Sequence, residues 1–222
     1  MTEGAAISEA LFAYDRTRGR YVCGADEVGM ACWAGPIVAA AVRFDYDRLD
    51  ADESARLEHL NSSKKVSGLR RAALLPVLFE LVDMVAYIAI PAGQIDRDGP
   101  DVCNMLALSC AIDAVEVTGS VNLVDGQQRK GVIPRAEWVV RGDETSAAIA
   151  AASIVAKEMR DDLMRRLDVA HHGYGFAQHK GYGTPEHEAA LVKHGPCRAH
   201  RRSYLGKVYA RLGVPPPADL DR

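Results

Sequence analysis

Four acids stand where short apolar runs end. Asp26 and Glu27 follow the run at 21–25, Asp125 follows 121–124, and Asp143 closes Arg141-Gly142-Asp143 just after 137–140. Strands that end side by side in one sheet bring such residues to a common edge, where ligand sites tend to gather. Carboxylates crowded together repel one another unless positive charge sits between them. A hard divalent cation with oxygen ligands, above all Mg²⁺, meets that need. Two such ions about 3.5–4 Å apart can activate a water and stabilise the leaving oxygen of a phosphodiester. Cleavage of that kind leaves a 5′-phosphate and a 3′-hydroxyl. Acids after strands also serve as turn and cap residues, and position alone leaves both roles open. No histidine or cysteine spacing competes for a softer metal.

The elements that must position these acids are legible in outline. Apolar runs at 21–25, 37–44, 84–90, 121–124 and 137–140 read as five strands, several bounded by glycine or proline. Helical spacing marks 69–81, with Pro76 inside it predicting a kink or a second start, and 104–115. Ile149, Ala152, Ala156, Met159, Leu163 and Leu167 form one apolar stripe, with Thr145 or Ser146 as N-cap. Thr184-Pro185 opens a further helix over 184–194. The expectation is an α/β domain with a small C-terminal helical extension from about residue 170. Length favours one core, so residues 19–212 are expected as a single domain. Residues 1–18 are expected as a flexible segment and 213–222 as a disordered tail.

Net charge is −3, but its distribution is uneven: residues 157–207 carry ten Lys/Arg against six Asp/Glu and six of the seven histidines. A basic lobe beside an acidic body can bind phosphates locally, and it can equally be a solvated helical face. The five cysteines are odd in number and form no CxxC pair, which points to a reducing cytoplasm rather than to disulfides or zinc. No run of eighteen apolar residues predicts a membrane span, and the first twenty residues lack the apolar core of a secretory signal.

The local sequences add to this spacing. GADEVGMACWAGPIVAAAV (24–42), LVDG ending at Gly126, RGDETSAAIAAASIVAKEMRD (141–161), YGFAQHKGYGTPEH (174–187) and HRRSY (200–204) occur in order over about residues 20–206. In these blocks the chain resembles the type 2 ribonuclease H family. The resemblance implies a ribonuclease H-like fold, a mixed five-stranded sheet flanked by helices. It implies Asp26, Glu27, Asp125 and Asp143 as catalytic and metal-binding residues, with Mg²⁺ or Mn²⁺ and two ions in the active complex. It implies cleavage of the RNA strand of RNA/DNA hybrids and cleavage 5′ to ribonucleotides embedded in duplex DNA. Tyr182, in HKGYGT, matches the tyrosine that stacks on the sugar at the RNA–DNA junction, a role that suits a flat ring with a polar tip.

The chain departs from the family pattern in two places. A Gly-Arg-Gly triplet whose backbone approaches the ribose 2′-hydroxyl is here Gly29, Met30 and Ala31. The alanine adds a methyl, and the methionine removes a guanidinium. Ser62 replaces an aspartate ahead of Ser63-Lys64-Lys65, so an acid's ion pair is lost while both lysines remain. Lys64 and Lys65 read as a phosphate clamp or as a solvated pair. His179 and Lys180 are candidates for contact with the nucleic-acid backbone or for tuning the metal site, and Arg201 and Arg202 for phosphate binding. Lys157 reads as a helix-surface lysine, His171-His172 as a surface pair, and Trp33 and Trp138 as packing residues. Asp161 is left outside the metal set. A monomer is expected. Two alternatives stay open: a nuclease whose substrate preference the Met30-Ala31 change has moved, and a non-catalytic nucleic-acid-binding relative.

Overall fold

The computed structural model describes residues 2–127 and 133–217. In chain order the elements are α1 (Glu3–Arg16), β1 (Tyr21–Val28), β2 (Ile37–Asp45), α2 (Ala51–Ala55), α3 (Gly68–Leu81), β3 (Met84–Ile90), α4 (Ala92–Asp98), α5 (Pro100–Val115), β4 (Val121–Asp125) and β5 (Ala136–Val139). A 3₁₀ turn at Gly142–Glu144 leads into α6 (Ala147–Ala170), α7 (Phe176–His179), α8 (Pro185–His194) and α9 (Arg202–Leu212). The five strands form one sheet in the order β3-β2-β1-β4-β5. β1 runs antiparallel to β2 and parallel to β4, and β4 runs parallel to β5, so the sheet is mixed. The chain resolves into two compact units. One takes residues up to Val28, Val38–Ile88 and Asn104–Glu158; the other takes Gly29–Ile37, Ala89–Cys103 and Met159 onward. Among the described residues no helix is long and apolar enough to cross a membrane.

In the first unit the sheet is fixed by burial on both faces. All nine residues of β2 are buried, which is why 37–44 reads as an unbroken apolar run rather than an alternating one. The start of α6 packs on β1 through small side chains: Ala147, Ala148, Ala150, Ala151 and Ala152 are fully buried. Gly24 makes that approach possible, since a Cβ there would collide with the backbone of Ala148 and Ile149. α3 runs through Pro76 as one helix capped by Ser67, whose side chain accepts from the Arg70 amide.

The N-terminus corrects the expectation of a flexible segment over 1–18. Thr2 caps α1 by accepting from the Ala5 amide, and Ser8, Leu11, Phe12 and Asp15 are buried. Phe12 meets Phe44 and Tyr46 edge-on, with ring centroids 5.7 and 6.5 Å apart. Only two large apolar residues anchor the helix, so its sequence carries little periodicity and tertiary contact makes up the difference. Asp15 has no exposed surface. Its Oδ2 accepts from the Ala148 amide at 2.8 Å and from the Tyr46 hydroxyl at 2.9 Å, which ties α1 to the first turn of α6.

The second unit has its own core. Tyr174 stacks on Phe176 at 5.3 Å, packed with Ala34, Met164, Ala190 and Ala199. Leu205, Val208 and Tyr209 of α9 close on Leu191, and Val214 packs on them. Gly213 ends α9 in the left-handed region, so the expected tail at 213 begins with two residues that complete the helix; its part at 218–222 lies outside the described residues.

Burial pushes the Asp15 carboxyl up from 3.8 to about 6, against the lowering effect of its hydrogen bonds. A raised folded pKa means the folded state holds the proton more tightly, so stability is lost as pH rises from about 4 to about 6. Relative to Asp15→Asn, the wild-type protein is expected to lose on the order of 3 kcal/mol across that window in denaturant melts at stepped pH. A stability difference that stays flat with pH would refute this reading.

Candidate active site

β1 extends three residues past the run that announces it, because it stays paired with β2 as far as Val28↔Val38. Asp26 and Glu27 therefore lie inside the strand rather than after it. The parallel register Ala25↔Val124 sets Asp26 level with Asp125, the last residue of β4. Asp143 sits in the 3₁₀ turn beyond β5, entered through Arg141 in the left-handed region at φ 55°. The Gly142 and Asp143 amides donate to Asp125 Oδ1 at 2.6 and 3.3 Å, which binds the two acids into one local structure. Ser146 closes the turn: its amide donates to Gly142 O, and its hydroxyl accepts from the Ile149 amide as the cap of α6. Thr145 instead donates its hydroxyl to Arg141 O.

The four acids share an electrostatic environment. Asp26 is 6% exposed, and burial holds its carboxyl well above the ordinary range, with the charges of Glu27, Asp125 and Asp143 adding to the rise. Glu27 is raised by burial and then by Asp125 and Asp143. Asp125 is raised by burial and then by Asp143, against the lowering effect of its two backbone hydrogen bonds. Asp26, Glu27 and Asp125, each raised by burial and by neighbouring carboxylates, are the kind of donor set that a hard divalent cation relieves. The residues present fit such an ion. Among the described residues no three His, Cys, Asp or Glu side chains already stand in a metal-ligand arrangement. Asp143 spends an oxygen on protein partners instead: Ser62 Oγ donates to its Oδ2 at 2.5 Å, and Lys64 Nζ lies 3.8 Å from the same atom.

Lys64 and Ser62 thus acquire places that the sequence left open. The Lys64 side chain is 83% exposed, yet it lowers the pKa of both Glu27 and Asp125. Its charge stands at the rim of the acid cluster. Lys65 pairs with Glu144 at 2.9 Å. Ser62, 1% exposed, keeps a hydrogen bond to Asp143 where an aspartate would add a fifth negative charge. The loop is pinned behind it by the Ser63 amide, which donates to Ser153 Oγ on α6. Trp138 is half-buried on β5 with its Nε1 unpartnered among the described residues.

In the second unit Gly29 is buried, Met30 half-buried and Ala31 exposed. The Met30 carbonyl accepts from Arg201 Nη1 at 2.9 Å and from the Tyr204 hydroxyl at 3.0 Å. Arg201 corrects its expected role in phosphate binding. It has no exposed surface, and its Nε donates to Gly35 O, so its guanidinium shapes main chain. Tyr182 is 41% exposed and presents its ring from the loop before α8. A chain of neutral histidines holds that loop: the Cys197 amide donates to His200 Nδ1, His200 Nε2 meets His187 Nε2 at 3.0 Å, and His187 Nδ1 lies 2.9 Å from Tyr182 O. Burial lowers His187 to about 4 and His200 to about 3, so each keeps one donor and one acceptor nitrogen. His179 stacks on His187 at 4.3 Å and bonds Tyr174 O. The Lys180 ammonium donates to Ala177 O, and its backbone is left-handed at φ 53°. Arg202 joins α9 with its amide on Asp96. Trp33 packs as expected, 5.4 Å from the His187 ring. Asp161 is buried on α6, and His172 is exposed beside half-buried His171.

Comparison with known proteins follows the same residues. The family profile described as Ribonuclease HII matches residues 23–207. A Ribonuclease HII of Nocardia farcinica is 42% identical over 195 residues, covering 88% of this chain and 75% of that relative. Among solved structures, the ribonuclease H2 of Pyrococcus horikoshii OT3 superposes with a TM-score of 0.70 at 19% identity, over 87% of this chain and 99% of that one. Bst-RNase HIII, solved in complex with Mn²⁺, superposes with a TM-score of 0.60 at 18% identity, over 87% and 67%. These likenesses agree with the mixed five-stranded sheet and its flanking helices.

Removing one buried charge from the acid cluster relieves the others. Asp26→Asn is expected to raise stability at pH 8 in EDTA by on the order of 1–2 kcal/mol, a gain that shrinks as pH falls and the wild-type acids protonate. A less stable variant at pH 8 would contradict the assigned repulsion.

Proposed function

Because the chain belongs to the ribonuclease HII family, we propose that it works as a divalent-metal-dependent endoribonuclease on nucleic acid, as a monomer in the cytoplasm. Its substrates in this reading are RNA/DNA hybrids and ribonucleotides embedded in duplex DNA, cut on the 5′ side to leave 3′-hydroxyl and 5′-phosphate ends. The observation that carries it is the acid cluster: Asp26, Glu27 and Asp125 each raised by burial and by neighbouring carboxylates. A protein that only bound phosphates would gain nothing from such concentrated negative charge.

Asp26, Glu27, Asp125 and Asp143 would hold Mg²⁺ or Mn²⁺, two ions in the active complex. Bound there, the metal supplies Lewis-acid activation of water and stabilisation of the leaving oxygen. The Mn²⁺ in the structurally similar Bst-RNase HIII supports a divalent ion of this kind. The protein's own contribution is to fix the carboxylates. The Gly142 amide orients Asp125 and Ser62 orients Asp143, so little reorganisation is left for the moment of reaction. Lys64, exposed at the rim, and Lys65 beside it are the candidates for the scissile strand's phosphates. Lys180 is a further phosphate candidate once it leaves Ala177 O.

Reading of the ribose falls to Gly29, Met30, Ala31 and Tyr182. In a trans peptide the N–H points opposite to its carbonyl. With Met30 O held by Arg201 and Tyr204, the Ala31 amide faces away from both. That supports main-chain reading of a 2′-hydroxyl even where the triplet's arginine and second glycine are missing. The exposed ring of Tyr182 supports stacking on the sugar. An odd number of cysteines with no CxxC pair supports a reducing compartment. Elution from a sizing column at the mass of one chain checks the monomer.

The deciding experiment compares three labelled duplexes in Mg²⁺ and in Mn²⁺: one with a single ribonucleotide, one RNA/DNA hybrid and one of DNA only. The first two are expected to be cut and the third left intact, with Asp125→Asn inactive on all. Cutting of the continuous hybrid alone would favour a second reading, in which the Met30-Ala31 change has moved specificity toward runs of RNA. In that event Met30→Arg with Ala31→Gly restores cutting at the single ribonucleotide. No cutting of any duplex in either metal would defeat both readings.

A further inference from the structure

Arg160, on the second half of α6, has no exposed surface and no place in the chemistry above. Among the described residues its guanidinium makes three hydrogen bonds, all to main-chain carbonyls of the same unit. Nε donates to Pro36 O at 2.9 Å, Nη2 to Ala34 O at 3.2 Å and Nη1 to Lys180 O at 2.9 Å. Two of these carbonyls belong to the segment that follows Gly29, Met30 and Ala31. The third lies two residues before Tyr182. The same guanidinium carbon stands 5.9 Å from the Tyr182 ring centroid.

We propose that Arg160 is a positioning residue for ribonucleotide recognition, locking the segment that carries Gly29-Met30-Ala31 and the loop that carries Tyr182 into one rigid reader. The inference rests on the reading of Tyr182 given above. A buried guanidinium is costly unless its donors are satisfied, so the three carbonyls can leave it only together. Main-chain bonds reinforce the tie: the Trp33 amide donates to Gly181 O at 2.8 Å. Gly29 is part of the same device. With φ at +96° it suits glycine, and a Cβ there would collide with Arg160 Nε. Arg201 takes Gly35 O and Met30 O from the other end of the segment. Of the two arginines, Arg160 alone also reaches the Tyr182 loop among the described residues.

A lysine keeps the charge but cannot serve three carbonyls in one plane. Arg160→Lys should therefore loosen the loop while leaving the core filled, and Arg160→Gln, neutral and with two donors, is the second variant should the first fail to fold. Each is combined with Tyr182→Ala, and binding of the single-ribonucleotide duplex and of its all-DNA counterpart is measured by anisotropy in EDTA, where nothing is cut. Melting curves verify folding. A base or sugar stacked on an aromatic ring contributes enough that Tyr182→Ala should weaken ribonucleotide-duplex binding about tenfold. Arg160→Lys should weaken it by about fivefold to tenfold alone and by less than about twofold once Tyr182 is gone, since coupled residues are non-additive. The all-DNA duplex should respond little to either change.

Full additivity of the two substitutions, or a lower melting temperature with ribonucleotide binding unchanged, would overturn the proposal and leave Arg160 a purely structural residue. No effect of Tyr182→Ala alone would instead remove the reading of Tyr182 on which it rests.

Discussion

Negative charge confined out of water is the constraint around which the first unit is built. Asp26 is nearly closed off from solvent on a central strand, Glu27 follows it, and the charges of Asp125 and Asp143 press on both. Such an arrangement costs stability, and a folded chain keeps it only where the surrounding structure over-determines it. The surroundings here are a strand buried along its whole length, a helix of alanines laid against Gly24, and a 3₁₀ turn whose amides hold Asp125. Among the described residues, partial compensation comes from the Ser62 hydroxyl, the exposed Lys64 ammonium and the amides of Gly142 and Asp143. The remainder is what a divalent cation would supply.

The second unit solves a different problem, the shaping of main chain. Two arginines without exposed surface and a row of neutral histidines end on carbonyls of the segments carrying Met30 and Tyr182. Main chain proposed to read a ribose must be held still, and charge-assisted hydrogen bonds from the interior are a strong way to do so. Identity at position 30 matters less to the loop's shape than its length suggests, because Arg201 and Tyr204 grip the carbonyl rather than the side chain.

What the sequence discloses and what it hides differ for physical reasons. The strands and the alanine-rich helix are legible because burial imposes local periodicity and residue size. The acids are legible because their motifs are short and contiguous. α1 escapes notice since only Leu11 and Phe12 mark its buried face, and nothing local to Asp15 announces its contact with the Ala148 amide. Arg201 misleads because arginine is mostly exposed, and the carbonyls that it meets come from residues far apart in sequence; Arg160 carries no local signal of its burial. The end of β1 is misplaced because an acid inside a strand looks like a turn until its pairing partner Ala40 is known. Ser62 reads as a loss of charge, although its hydroxyl retains the contact with Asp143.

Whether the carboxylates act as one cation-binding set decides what the first unit is for. The most direct measurement is thermal melting of the wild-type protein and of Asp125→Asn across a titration of Mn²⁺ at fixed pH and ionic strength. A ligand that binds only the folded state at about a hundred times its dissociation constant adds about 2.7 kcal/mol, a rise of several degrees for a chain of this size. That rise is expected in the wild type, with its near-complete loss in the variant. Equal shifts in both proteins, or none in either, would contradict it.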